Sequence, residues 1–439
     1  RDLVAKATPM VLSLGALTLA LGIGWLVTVS PGVALAVASV VVLVGSAVAH
    51  PVLVPVLAMP VLVVNARFGA AGVDLTLSDL ALALAFWPAV LMGHRPFSAG
   101  LRQLLWLNAL YQAATLLTVV ANPFLANTVE WFHAWLLVSG SLVVGWAVGR
   151  GGYAKQGLTL FLLACLVLAG STITQGILQF ASGDTGGVYP RWPWSMHKNF
   201  VGTLLGFAAV IAYAHPPWMG WPRRWALASF WVFGVAIALS QSRQALLTLG
   251  LVLVLMTLVR QSERRRSRLI LVGVVPALLL VGTLIRDQVE SGNQFNSVFQ
   301  RIDWYSESWS IWLESPWWGH GLRYWVGPDA PGGFQPPNVV LEVLATTGVI
   351  GLGAFVIMTT GMLRVLWKMD PAYGVLAFAI VLSRLVQGQF DLFWVSVSIS
   401  VPFAIVGVCM GAQALSREQD GKGVGSVNVP AGRPREVAL

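Results

Sequence analysis

The sequence predicts an all-α integral membrane protein of roughly twelve to fourteen membrane helices, with both termini on the cytoplasmic side. Three observations lead there. The 439-residue chain is 56% hydrophobic and only 10% charged, too apolar to present a water-facing surface throughout. Its apolar runs are long enough to cross a bilayer as helices, and they mix Leu, Val, Ala and Gly without the strict alternation of a transmembrane β-barrel. The positive charge, a net +9, falls between those runs, where it sets topology rather than nucleic-acid affinity.

Taken in order, the runs predict spans near 9–29, 31–49, 51–64, 77–92, 103–121, 129–148, 157–181, 199–214, 225–240, 244–259, 269–285, 338–362, 371–390 and 394–415. The first follows Arg1 and Lys6 without an obvious small-x-small cleavage pattern, so it reads as a retained helix. The third is short enough to be re-entrant or a half-helix. Cys165 and Cys409 lie inside apolar runs, where a thiol acts as a small hydrophobe and supports neither a disulfide nor a metal framework. Alternating sides through these spans puts Arg95, Arg102, Arg150, Lys155, Arg223, Arg224, the five Arg of "RQSERRRSR" at 260–268, Arg364, Lys368 and Arg417 on one face, expected to be cytoplasmic. Residues 1–415 then form one polytopic domain. The tail 416–439 has no periodicity and is expected to be a disordered cytoplasmic segment.

Two connections fall on the opposite, external face: residues 182–198, "SGDTGGVYPRWPWSMHK", and residues 286–337. In the second, Phe295, Val298, Phe299, Ile302, Tyr305, Trp309, Trp312 and Leu313 recur at helical steps, predicting a helix over 295–313 that lies at headgroup level on an aromatic face. Pro316 stops it, and the Gly and Pro that follow predict a shaped loop. Each external arginine could simply pair with Asp184, Asp303 or Asp391. Together, however, Arg191, Arg243 and Arg301 would form a cationic mouth above an apolar groove, because the planar guanidinium holds phosphate oxygens in pairs and is costly near hydrocarbon. A pyrophosphate on a lipid tail fits that combination. The intramembrane polar residues Asn108, Gln112, Gln387 and Gln389 leave a transporter or a lipid-linked-glycan flippase as the rival, although no inverted repeat is visible.

The stretch "RIDWYSESWSIWLESPWWGHGLRYW" followed by "PPNVVLEVLATTGVIGLGAF" resembles the signature region of the O-antigen ligase and polymerase superfamily, on Arg301, Pro316, Gly319, Gly321, Asn338, Glu342, Gly348 and Gly351. "SQSRQALL" and "MHKNFVGTLL" resemble two further helix starts of that family, so the likeness runs from about 190 to 355. The resemblance implies a metal-independent glycosyltransferase of the cell inner membrane, working without a cofactor on its external side. It would transfer a glycan, with inversion, from undecaprenyl pyrophosphate to a sugar hydroxyl of a glycan or glycolipid acceptor. On that basis Arg191, Arg243 and Arg301 are expected to hold the pyrophosphate and stabilise the leaving charge. Asn199, Asn338, Trp317, Trp318 and His197 are expected to contact glycan or acceptor. The family's ligases usually carry a His immediately before the Asn that opens the post-loop helix, and this chain has Pro337 there. His320 or Glu342 then becomes the expected base, with His197 a further candidate, and the departure shifts weight toward a polymerase or toward a ligase for another envelope polymer. Nothing in the external loops has metal-ligand spacing.

Overall fold

The computed structural model describes residues 15, 17–22, 24–25, 27–28, 34, 37–38, 41, 44–45, 47–70, 73–91, 96–259, 282, 297–325 and 335–424. The expected span at 269–285, the 260–268 arginine cluster, Arg95 and residues 425–439 therefore lie outside the described residues or almost wholly so. Contacts divide the chain into one unit, Arg1–Val54, and a second, Pro55–Leu439. The first is mostly helical at its described positions. The second contains the candidate site.

The chain is an all-α integral membrane protein. Its described helices are α1 (Leu53–Val61), α2 (Leu77–Leu91), α3 (Ala99–Ala121), α4 (Leu125–Arg150), α5 (Ala154–Ala181), α6 (Lys198–Ala214), α7 (Arg223–Ser240), α8 (Arg243–Val259), α9 (Ser297–Glu314), α10 (Val339–Trp367), α11 (Pro371–Gln387) and α12 (Ser396–Val424). Five of the described helices, α3, α4, α5, α10 and most of α12, are long and apolar enough to cross a bilayer. Two features depart from expectation. A small antiparallel hairpin, Arg67–Ala70 with Val73–Thr76, pairs Phe68 with Leu75 just before α2. And α12 continues past 415 to Val424, so the first part of the tail expected to be disordered is helical, with Arg150 of α4 paired to Glu418 on it.

Among the five helices of bilayer length, α4 and α12 are the most buried, and small residues let them touch backbone to backbone. A Cβ on Gly145 would lie 1.9 Å from the Ala404 carbonyl oxygen, and one on Gly411 would lie 2.5 Å from the Trp146 carbonyl oxygen. This is the small-xxx-small packing of membrane helices, with a Gly pair on each partner. Residues 136–140 of α4 widen into a π turn at this level.

Helix α10 begins where the sequence puts an N-cap. The Asn338 side chain accepts from the backbone N–H of Val340 at 3.0 Å and of Leu341 at 3.1 Å, and Val339 donates its N–H to the Gly388 carbonyl at 2.7 Å. Asn338→Ala is expected to cost about 1 kcal/mol, the usual value of such a cap. A lowered midpoint of thermal unfolding in detergent, absent for Asn338→Asp, checks it.

Further along, α10 is broken at Gly348, whose φ of 64° and ψ of −170° take it out of the helix. The loop after α9 repairs the break: His320 donates its backbone N–H to the Ala345 carbonyl at 3.2 Å and Gly321 to the Thr346 carbonyl at 3.0 Å, while Val349 donates to the Pro316 carbonyl at 2.9 Å. Backbone groups freed inside a membrane helix must find partners within the protein. The Pro-x-x-Gly-x-Gly turn is therefore a plug for the broken helix.

The aromatic helix α9 forms at Ser297–Glu314, as expected. Ser308 and Ile311 face the protein, whereas Ile302, Trp309 and Leu313 are exposed. An exposed apolar stripe on a helix carrying Asp303, Glu307 and Glu314 suits the bilayer interface.

Candidate functional site

The helix ends and loops at one end of the second unit are tied together by hydrogen bonds. Val188, in the 182–198 connection, donates to the Leu239 carbonyl at the end of α7. Gln241, in the α7–α8 turn, donates to the Thr185 carbonyl at 2.8 Å. Gln244, in the first turn of α8, donates to Asp391 at 2.5 Å, on the segment between α11 and α12. Ser242 of the turn can approach α6 closely because position 202 is glycine, where a Cβ would lie 2.5 Å from the Ser242 side chain.

This docking places two helix N-termini side by side, α6 at Lys198 and α8 at Arg243. His197 caps α6 by accepting the Asn199 backbone N–H on its Nδ1 at 3.3 Å. In the neutral ring the proton then sits on Nε2. Lys198 and Arg243 are close enough to act on one another electrostatically, and Asp391 acts on His197. The Lys198 ammonium also lies 5.8 Å from the centre of the Tyr189 ring, and its stem lies against Gly187. Burial holds the His197 imidazole below its usual range; Asp391 opposes that shift and Lys198 reinforces it. Two cations and two positive helix ends converge on one half-buried spot, which is chemistry for an anion. Lys198 and Asp391 were absent from the expected site, although Lys198 stands next to two residues that were in it.

A second group adjoins the segment that carries Asp391. Glu342, in the first turn of α10, is buried and accepts from Gln335 at 2.7 Å and from the Phe393 backbone N–H at 3.3 Å. Buried Arg384 donates to the carbonyls of Leu392, at 2.6 Å, and of Phe393, and lies 4.7 Å from the Phe393 ring centre. Together they fix the segment that carries Asp391.

A third, wholly unexpected group runs through the interior. Asp79 at the start of α2 faces His133 at 3.2 Å; His133 faces Glu130 at 3.3 Å; Glu130 meets Arg323 at 3.4 Å. Asp79 also closes a capping box with Thr76 and accepts from Ser396 at 2.9 Å. Glu130, Arg323, Gln335 and Glu342 line a cavity of about 50 Å³ together with Gln112, whose amide has no hydrogen-bond partner among the described residues. That volume holds water-sized molecules. The signal was available in "VEWFHAW": an acid and a His three residues apart inside an apolar run.

The remaining expected residues take varied positions. Arg191 is exposed, its backbone N–H donating to Gln175 at 3.0 Å. Arg301 stands half-buried in α9. His320 Nε2 lies 2.8 Å from the Ile311 carbonyl, so the ring donates back onto α9, the helix before its loop. Trp317 and Trp318 are exposed, while Trp325 is buried. Asn199 is half-exposed beside the cations, but the Asn338 side chain is occupied as a cap and reaches Gln389 at 3.4 Å.

Comparison with known proteins matches residues 228–356 to the family model described as O-antigen ligase. The match spans most of α7, all of α8 and α9, and the first half of α10 with its break. No curated protein matches the chain.

Proposed function

We propose that the chain, whose residues 228–356 match the O-antigen ligase family model, is a membrane glycosyltransferase that moves a glycan from a lipid pyrophosphate to a sugar hydroxyl. The domain supports ligase- or polymerase-type activity in general. The observation that carries the finer reading is the convergence of Lys198, Arg243 and two helix N-termini beside His197 and Asp391.

In this reading the cations and the His197 Nε2–H hold the pyrophosphate, with Arg191 and Arg301 completing the approach from the two external loops. As the bond to the anomeric carbon breaks, charge gathers on the leaving phosphate, and donors already in place there lower the barrier. The acceptor hydroxyl attacks from the opposite face and gives its proton to a carboxylate. Asp391 fits that role best: among the described residues Gln244 donates to one of its oxygens, whereas both Glu342 oxygens accept hydrogen bonds. One displacement inverts the configuration. The donor is undecaprenyl pyrophosphate glycan and the acceptor a glycan or glycolipid on the external face of the inner membrane. Pro337 in place of the ligases' usual His favours a polymerase over a lipid A-core ligase.

The test is glycan transfer by the purified chain in proteoliposomes, supplied with undecaprenyl-pyrophosphate glycan and with either free repeat units or a glycolipid. Elongated lipid-linked product supports the polymerase. Movement of donor between leaflets without any transfer replaces the reading with a flippase.

The same assay carries a pH prediction. His197 must be neutral to keep its Nδ1 lone pair on the Asn199 N–H, and its pKa lies below the ordinary 6.5. The acid limb of kcat/KM attributable to it is therefore expected below pH 6.5 and is expected to vanish in His197→Asn. A limb unmoved by that substitution assigns the titration elsewhere.

A further inference from the structure

We propose that the end of the second unit opposite the candidate site holds an anionic phospholipid between α3, α10 and α12. A cavity of about 840 Å³ opens there. Its polar side carries Arg364 in the last turn of α10, Lys368 at the C-cap of that helix, and Arg417 on α12; its apolar side is built from Trp106, Leu107 and Leu110 of α3. Among the described residues lining it there is no carboxylate.

Of the acids nearby, Asp370 caps α11 by accepting the Ala372 N–H at 2.9 Å, Glu418 pairs with Arg150 on α4, and Asp420 is exposed one turn beyond Arg417. Since none of them lines the cavity, its described lining carries positive charge alone. Gln413 adds structure to its floor: in the orientation that satisfies both ends of its amide, its oxygen accepts from the Asp370 N–H at 3.2 Å and from Arg417 at 2.7 Å.

The two sides of the cavity call for different parts of one molecule. Trp106 is 75% exposed and Leu110 46%, on a helix apolar enough to cross a bilayer, so this wall faces acyl chains. The cations stand at the end of the same groove, at headgroup depth, where Arg and Lys bind lipid phosphate. A free phosphate would use the cations and leave the apolar wall without a partner; a phospholipid uses both. The site stands apart from the glycan chemistry and does not depend on it.

The experiment is native mass spectrometry of the full chain, delipidated in detergent and titrated with phosphatidylglycerol or phosphatidylcholine. Wild type is expected to retain phosphatidylglycerol selectively. Affinity is expected to fall about five-fold for each of Arg364→Gln, Lys368→Gln and Arg417→Gln, and on the order of a hundred-fold for the triple variant. All three residues are exposed, so the variants should elute as wild type does on size exclusion. Equal retention of both lipids, an unchanged triple variant, or displacement of the lipid by millimolar inorganic phosphate overturns the proposal.

Discussion

Arg243→Ala lowers kcat for glycan transfer by about 10²–10³-fold, the usual cost of removing one positioned donor from the charge that develops in a transition state. The expectation rests on place as well as charge. Arg243 opens α8, half-buried, beside Lys198 and the capped start of α6, where water screens it little. Arg191 is exposed on its loop, so Arg191→Ala should cost no more than about ten-fold, in line with the small worth of solvent-screened charges. Arg243→Lys keeps the charge but loses the planar fork, and should fall between the two. Initial rates in proteoliposomes at saturating donor measure all three. A raised KM with unchanged kcat for Arg243→Ala would mean that the residue binds donor and transition state equally, and would remove it from the leaving-group role.

How much of this was legible beforehand differs by feature, for physical reasons. Helix positions follow from hydropathy, so the starts of α6, α7, α8 and α11 fall within a residue or two of expectation. Gathering the basic residues of the described helix ends at one end needed only alternate threading. What hydropathy cannot supply is which polar residues meet. Lys198 was passed over because a lysine at a helix start reads as a solvated charge until α8 is docked beside it. Asp79, Glu130, His133 and Arg323 are spread over some 240 positions of sequence, and only folding makes a network of them. The hairpin before α2 was missed because four-residue strands next to apolar helices leave no periodic signal of their own. The paired glycines of α4 and α12 were readable as small-xxx-small motifs, but a motif does not name its partner.

The motif glycines give the sharpest structural expectation, because α10 contains two glycines with opposite needs. At Gly348 the backbone occupies a region of φ and ψ that is essentially reserved for glycine, and a Cβ there would lie 2.3 Å from the Trp317 carbonyl oxygen. That oxygen belongs to the loop that plugs the broken helix, so neither side can yield without releasing the hydrogen bonds from His320, Gly321 and Val349. Gly348→Ala should therefore combine backbone strain of about 1–3 kcal/mol with a clash against main chain, enough to prevent accumulation of folded protein. Gly353, on the same helix, has an ordinary helical φ, is exposed, and has nothing within 4 Å of an added Cβ. Gly353→Ala should stabilise by up to about 1 kcal/mol, since Ala loses less backbone freedom in a helix. Comparing yield and thermal midpoint of the two variants in detergent separates the plugged break from general sensitivity of α10. If Gly348→Ala folds as wild type does, the break is not fixed by the loop, and the Pro-x-x-Gly-x-Gly turn must serve the chemistry directly.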